Sequence, residues 1–584
     1  MRILITDAQE LAGLGAIRSL GQAGYTVTAG HVAGVHPAAK HSRWCHDAIA
    51  YPNPWTSHGE FRTWLLHMIA SNRYDAVLPI AEAAIAATAQ LRSEFPKSVL
   101  PILPSDANLQ YTLSKYYATH AAIDAGIPVA PTVFVHDGKP GALWNNDLSK
   151  LRFPIIIKTD NVLLNNETYR KGKTVVVSTE TEAADVLAAY RTDGCAVIAQ
   201  EFVSGYGEGV SILQWNRKPQ LQFMHRRLHE IPWTGGASSL RESIHDPLLK
   251  KYTQTLLQTI GYEGVAMVEF RRGYLDSIPY FLEINGRLWG SIALCLHAGI
   301  DIPAALIDCV LTGTVCPERR QHSYSDGLRC RNVYPGEVRY LRSIFRATAQ
   351  TNFPSPPSFA SSLFEFFLLF LHPLVRYDVF WFRDPRPAFW QAVVAFADLR
   401  AGLLYNARKF FRKYINARSA SPKWQKLPAL TKPPRALLFV CFGNICRSPF
   451  AEKAWNAFAE KNGSSIRATS AGLYPHSGRI SPPALAPLIR SLGFDLTSHR
   501  SQEITSAMIE TADVICVMDM ENWHSLLHSF PHAKMKTILL GAFSGDSDPQ
   551  IPDPFAMPAH RARAVYEKIL RSVDGLFTAL RSLA

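Results

Sequence analysis

Cys441-Phe442-Gly443-Asn444-Ile445-Cys446-Arg447-Ser448-Pro449 lies between an apolar run, Ala436 to Val440, and the stretch Phe450-Ala451-Glu452-Lys453-Ala454-Trp455. The first reads as a buried strand and the second as a helix. The loop therefore feeds a helix N-terminus, where unpaired backbone N–H groups favour an anion. Cys441 and Arg447 bracket a loop short enough to curl its amides around one phosphate, with the guanidinium closing it bidentately. Positive surroundings of that kind lower a thiol pKa and make Cys441 a nucleophile. An arbitrary Cys-x5-Arg pair is more often a strand-ending thiol near a surface arginine, so the reading rests on the whole string.

That string resembles the active-site loop of the low-molecular-weight protein tyrosine phosphatases. Further segments resemble the same family in order: Thr469–Leu473, Gly493–Arg500, Ala512–Asp519 and Pro552-Asp553-Pro554-Phe555. The resemblance covers 435–584 and implies a parallel-sheet α/β domain. It implies that Cys441 attacks phosphorus and that Asp553 is the general acid. Arg447 and the loop Phe442, Gly443, Asn444, Ile445, Cys446 and Ser448 would hold the phosphate. Ser448 would bond the Cys441 sulfur, Asn444 would brace the loop, and Cys446 would be the partner for a protective disulfide.

Ile445 stands where arginine-phosphate-specific relatives are expected to carry Thr, which favours a phosphotyrosine protein or other aryl phosphate. Phe555 and Ala556 replace a pair of tyrosines common in the family, and Tyr474 or His476 is expected to supply the opposite aromatic wall. A thioredoxin-linked arsenate reductase of the same fold would need two further downstream cysteines, and Cys516 alone is available.

Upstream, Arg2–Thr6, Leu11–Ala23 and Tyr25–Ala29 read as strand, helix and strand. Ala76–Ile80 and the Ala-rich Glu82–Arg92 continue an open α/β layer over 1–112. A helix from Lys115 to Ala125 follows, then a strand Phe153–Lys158 and a strand Val197–Val203. Ser204–Val210 is expected as a flexible loop. Gly264–Phe270 and Tyr280–Arg287 read as paired strands. Side chains at i and i+2 share a strand face, so Glu283 and Asn285 point together and Glu269 meets them from the partner strand. Mg²⁺ suits three such oxygen donors. An acidic face paired to Arg271 or Arg287 explains them equally well.

Lys115, Lys158, Glu201-Phe202-Val203, Glu269 and Glu283-x-Asn285-x-Arg287, in that order, resemble an ATP-grasp domain of the carbamoyl-phosphate synthetase and biotin carboxylase branch. The resemblance covers 113–318 and implies an α+β fold holding ATP between two sheets. Lys115 and Lys158 would contact phosphates. The Glu201–Val203 hinge would meet adenine through its backbone, and Glu208 would reach the ribose. Glu269, Glu283 and Asn285 would hold Mg²⁺, or Mn²⁺ in its place, and Arg287 would orient the transferring phosphate or the acceptor. The implied reaction joins a small-molecule carboxylate to an amine through an acyl phosphate. A non-catalytic nucleotide-binding regulatory module is the alternative. The family's lid is commonly glycine-rich, yet Thr159–Asn166 contains no glycine.

The chain has 584 residues, 47% of them hydrophobic and 19% charged, as expected of several folded α/β domains. Nine cysteines without a CxxC pair argue against zinc and for a reducing, cytoplasmic setting. Residues 319–407 are rich in aromatics and read as helices packed on the preceding core, in preference to a peripheral membrane contact. Residues 408–434 are a basic Pro/Ser linker: from Arg408 to Arg435 there are nine Lys/Arg and no acid. These carry much of the net charge of +13. No base-stacking pattern points to nucleic acid.

Overall fold

Three consecutive side chains of strand β1 (Arg2–Ile5), Ile3, Leu4 and Ile5, are fully buried. A strand covered on both faces belongs in a parallel sheet between helices. With β2 (Thr26–Val32), β3 (Cys45–Tyr51), β4 (Ala76–Leu78) and β5 (Leu100–Pro101) it forms a parallel sheet in the order β3-β2-β1-β4-β5. Helices Leu11–Gln22 and Glu82–Gln90 follow β1 and β4. The order reverses between β1 and β4, so the loops after these two strands open a crevice of the kind that takes ligands.

The computed structural model describes residues 1–139, 142–145, 147–163, 169–191, 194–320, 323–347, 356–400, 434–474, 477–482, 485–555, 557 and 559–581. Its contacts divide the chain into two units, Met1–Arg400 and Ala401–Ala584.

The first unit contains two further main sheets. Strands β6 (Thr132–Asp137), β7 (Ile155–Thr159), β10 (Thr174–Val177) and β11 (Ala196–Glu201) pair antiparallel in the order β10-β7-β11-β6. Between β7 and β10, β8 (Val162–Leu163) and β9 (Tyr169–Arg170) form a small ribbon. Tyr169 is buried and stacks on His58, and its N–H donates to the Trp55 carbonyl at 3.0 Å. In place of glycines, this ribbon is pinned by an aromatic anchor.

The larger sheet runs β16-β15-β12-β13-β14-β17-β18. Its strands are β12 (Gly205–Trp215), β13 (Lys218–Ile231), β14 (Ala237–Ser243), β15 (Gly264–Gly273), β16 (Pro279–Asn285), β17 (Arg329–Arg331) and β18 (Val375–Tyr377). The expected loop at 204–210 is instead the start of β12. A Cβ at Gly205 would sit 1.9 Å from the Arg272 carbonyl oxygen, so the glycine allows close approach to β15 rather than flexibility.

Strands β17 and β18 come from the segment read as a separate extension. Two buried ion pairs fasten it to the body: Arg18 Nε to Asp384 at 2.9 Å, and Arg241 to Asp378. The aromatics of this segment depart from the expected packing. Leu369 and Val375 are buried with Leu240, but Phe364, Phe367, Phe382, Phe389 and Phe396 face solvent. The linker 408–434 lies outside the described residues except for its last position. Among the described residues, no helix is long and apolar enough to cross a membrane.

The second unit is built on a parallel sheet, β20-β19-β21-β22, from β19 (Ala436–Cys441), β20 (Arg467–Gly472), β21 (Val514–Val517) and β22 (Thr537–Leu539). The apolar residues Leu437–Val440 at its centre are buried on both faces. Helix Arg447–Lys461 packs on β20 and on the long helix Ala559–Arg581, with Trp455 fully buried between them. It begins earlier than the Phe450 start read from sequence, because Arg447 and Ser448 already belong to its first turn.

Candidate active sites

In the second unit, β19 ends on Cys441 and helix Arg447–Lys461 begins six residues later. The intervening loop wraps the thiol. The Asn444 N–H donates to Cys441 Sγ at 3.1 Å, and Ser448 Oγ lies 3.0 Å from the same sulfur. Asn444 takes a left-handed φ of 49°, a conformation asparagine tolerates better than most residues. Its amide nitrogen donates to Ser448 Oγ at 3.0 Å and Ser470 Oγ at 2.8 Å, and its oxygen accepts from the Gln502 N–H at 2.9 Å. Ser470 in turn donates to Glu452 at 2.6 Å, and His499 donates to the Asn444 carbonyl at 2.8 Å. The loop is thus held from beneath by a connected polar network.

Arg447 is buried against this loop. Its Nη1 donates to Asp519 at 2.6 Å and to the Ile551 carbonyl at 3.1 Å, and Nη2 donates to Asp553 at 2.8 Å. Its Nε is buried with no hydrogen-bond partner among the described residues. Cys441, Gly443, Ile445, Cys446, Arg447 and Asp553 line one cavity of about 150 Å³, with Phe442, Phe555 and Arg479 also on its wall. Tyr474 sits 5.6 Å from Phe442, centroid to centroid, beside the mouth. His476 and Ala556 lie outside the described residues. Burial, helped by the nearby Asp553 and Cys441 charges, pushes the Cys446 thiol up to about 12.

In the first unit, β15 and β16 place Glu269 directly opposite Glu283, and Asn285 two residues on. The Asn285 amide donates to Glu269 at 3.0 Å and to Glu283 at 3.2 Å. Lys115 reaches Glu283 at 3.4 Å from a helix whose N-cap, Ser114, and first N–H are both tied to Asp160. Lys158, on β7, is buried and donates to Gln200 at 2.8 Å. Burial, with Lys115 nearby, lowers its pKa to about 8 although Glu283 and Glu269 act the other way.

Burial works against charge on Glu283, but Lys115, Asn285, Lys158 and Arg287 outweigh it and hold that carboxyl low. On Glu269, burial prevails over Arg227 and raises the pKa. Among the described residues no group of three His, Cys, Asp or Glu is disposed to hold a metal. Two carboxylates and an amide already facing one another fit a Mg²⁺ that takes its remaining ligands from phosphates and water.

Of the two arginines expected to pair this acidic face, Arg287 acts on Glu283 through its charge alone and Arg271 pairs elsewhere. Glu269 pairs with Arg227; Arg271 bonds Glu230 at 2.7 Å; Arg287 bonds Glu82, from the first helix turn after β4, at 2.9 Å. Glu201 is held by Arg152, and the Phe202 N–H donates to the Pro154 carbonyl. The Val203 carbonyl accepts from Arg271 Nε at 3.3 Å. The expectation for Glu208 is not met. It is buried on β12 and paired with Arg272 at 2.8 Å, so its carboxylate is committed within the sheet rather than offered to a ribose.

Residues 436–583 match the family described as low molecular weight phosphotyrosine protein phosphatase. The low molecular weight protein-tyrosine-phosphatase Wzb of Salmonella typhi is 32% identical over 146 residues, which are 25% of this chain and 94% of that protein. The chain belongs to the low-molecular-weight protein-tyrosine-phosphatase family. A protein-arginine-phosphatase of Geobacillus stearothermophilus is 29% identical over 26% of this chain and 98% of its own. Residues 196–333 match the family described as ATP-grasp in the biosynthetic pathway with Ter operon, so an ATP-grasp domain precedes the phosphatase domain. The solved L-amino acid ligase of Bacillus licheniformis aligns with a TM-score of 0.43 at 14% identity, over 56% of this chain and 78% of that one.

Within this low-molecular-weight phosphatase domain, Asp519, Ser470, Glu452 and His499 support the loop; they lie in segments recognisable in the sequence, but the sequence assigns none of them an individual role. Asp519 alone had a local cue, an acid closing an apolar strand, which equally describes an ordinary helix N-cap; it is that cap as well, accepting from Asn522 N–H at 2.7 Å. Arg227 and Glu82 were likewise silent, being meaningful only through their partners.

Proposed function

We propose that residues 435–584 hydrolyse phosphotyrosine or a related aryl phosphate through a phosphocysteine. The observation that carries this reading is Arg447 closing the loop above Cys441 with the Asp553 carboxylate 2.8 Å from its guanidinium. An arriving phosphate takes the place of Asp553 on Arg447, its oxygens meeting Nε, Nη2 and the loop amides. The Cys441 thiolate attacks phosphorus, forming an S–P bond as the P–O bond to the leaving group breaks. Asp553, displaced and protonated, gives its proton to that leaving oxygen. Its carboxylate then takes a proton from water, which attacks phosphorus, breaks the S–P bond and restores the thiolate. Ser448 and the Asn444 N–H stabilise the sulfur when it leaves. Phe442, Tyr474 and Phe555 offer aromatic walls for a phenyl ring. A working thiolate of this type needs reduced surroundings, which supports a cytoplasmic setting for the proposed reaction. Hydrolysis of p-nitrophenyl phosphate should vanish in Cys441→Ser; turnover in that variant would remove the assignment.

We infer that residues 113–318 bind ATP and join a carboxylate to an amine. The support is the convergence of Lys115 from its helix and Lys158 from β7 on the Glu269, Glu283 and Asn285 face of β15 and β16. Lys115 and Lys158 would bind and orient the phosphates, and Glu269, Glu283 and Asn285 would hold Mg²⁺ (or Mn²⁺). The metal supplies charge neutralisation on the transferring phosphate. Arg287, braced by Glu82, would position the acceptor. ADP release driven by a panel of carboxylates and amines tests this. Glu283→Ala should cut it by ~10²-fold or more, as loss of a transition-state contact does. Unchanged release would leave a nucleotide-binding module without turnover.

A further inference from the structure

We propose that the ring-lined face carried by residues 359–399 seats on an anionic lipid surface. Its side chains are exposed to an unusual degree for their type: Phe364 67%, Leu371 82%, Phe382 91%, Phe389 70% and Phe396 70%. Phe382 ends a chain of rings in which Phe370 and Phe380 are also exposed and Phe366 and Tyr377 half-buried. Ring centroids follow one another from Phe366 to Phe370 at 5.6 Å, to Tyr377 at 6.2 Å, to Phe380 at 6.3 Å and to Phe382 at 5.1 Å. In the helix 386–400, Phe389, Val393 and Phe396 recur at i, i+4 and i+7 and share a face. A run of exposed rings followed by an exposed apolar helix face, within about forty residues of chain, marks an interaction site.

The patch is held outward. Beneath it, Leu369 and Val375 pack on Leu240, the Arg331 guanidinium lies over Phe366 and Phe370, and the Arg18–Asp384 pair has no exposed side-chain area. The rings therefore cannot turn inward without breaking buried charge pairs.

Charge selects the occupant. Arg339, Arg342, Arg346, Arg376, Arg383, Arg386 and Arg400 are all exposed. The acids of the same stretch are Glu365, Asp378, Asp384 and Asp398. Asp378 and Asp384 are buried in pairs with Arg241 and Arg18. Glu365 faces His229 at 3.5 Å, and Asp398 accepts from the Tyr334 hydroxyl. Glu365 and Asp398 also reach solvent, each engaged by a neighbour, so seven exposed arginines stand against two exposed acids beside the rings. Aromatic and predominantly cationic surface is the combination that settles at an anionic headgroup layer, with arginine stems lying along the apolar surface. Among the described residues no helix is long and apolar enough to cross a bilayer, and the proposed contact is peripheral.

The test is flotation of the full-length protein with phosphatidylcholine vesicles and with vesicles containing added phosphatidylserine. Partition should favour the anionic vesicles by about tenfold or more and weaken with salt. Phe364→Glu/Phe367→Glu/Leu371→Glu should abolish it with the melting temperature kept, since all three side chains are exposed. Arg376→Glu/Arg383→Glu/Arg386→Glu should remove the salt-sensitive part. No partition, equal partition into neutral vesicles, or an oligomer that the triple glutamate variant dissolves would each overturn the proposal.

Discussion

Replacing Arg447 by lysine separates charge from geometry at the phosphatase centre. The guanidinium has five donor hydrogens. Nη1 spends its hydrogens on Asp519 and Ile551, Nη2 reaches Asp553, and Nε is buried without a partner. Only Nε and the Asp553-facing edge are therefore free to hold phosphate oxygens as a fork. A lysine ammonium keeps the charge and satisfies Asp519, but it cannot offer that planar pair. Losing one oriented donor to a developing oxyanion costs about 10²–10³ in kcat, or ~3–4 kcal/mol of transition-state stabilisation.

Arg447→Lys should therefore lower kcat for p-nitrophenyl phosphate by about that factor, with KM changing much less. Its thermal stability should fall by less than that of Arg447→Met. The methionine leaves Asp519, which is 20% exposed, without its cation, at a cost of roughly 1–3 kcal/mol once solvent screening is allowed for. Steady-state kinetics and a thermal melt on both variants give the answer. If Arg447→Lys keeps activity within tenfold while Cys441→Ser is dead, the fork is not what binds phosphate, and the reasoning from Nε fails.

Other outcomes follow from the same geometry. Asp553→Asn should depress hydrolysis of phenyl phosphate by ~10²–10⁴, and p-nitrophenyl phosphate much less, because the better leaving group needs little protonation; equal losses on both esters would argue against proton donation. Asn444→Ala removes three hydrogen bonds and puts alanine at a left-handed φ, so unfolding free energy should drop by ~1–3 kcal/mol with kcat falling alongside, read by denaturant titration and kinetics. Lys158, held at a pKa of about 8 by burial, is charged below that pH and neutral above it. Nucleotide affinity measured by calorimetry should therefore weaken as pH rises through 8, by up to about tenfold per pH unit. Lys158→Arg should flatten that dependence, and a pH-independent affinity in the parent protein would detach Lys158 from the phosphates.

The sequence alone determined what depends on neighbours along the chain. An apolar run ending in Cys441 and followed by a helix defines a loop of fixed length, and the i, i+2 rule puts Glu283 and Asn285 on one face wherever that strand lies. Tertiary structure decided everything that needs a partner from far away. Asp519 meets Arg447 across 72 positions, and Glu82 meets Arg287 across 205. Glu208 reads as an acid in a glycine-rich loop until β15 brings Arg272 beside it. The aromatics after Leu363 have the composition of a core, yet many remain outside it, because burial is settled by which surfaces the fold has left to cover and not by the hydrophobicity of the residues themselves.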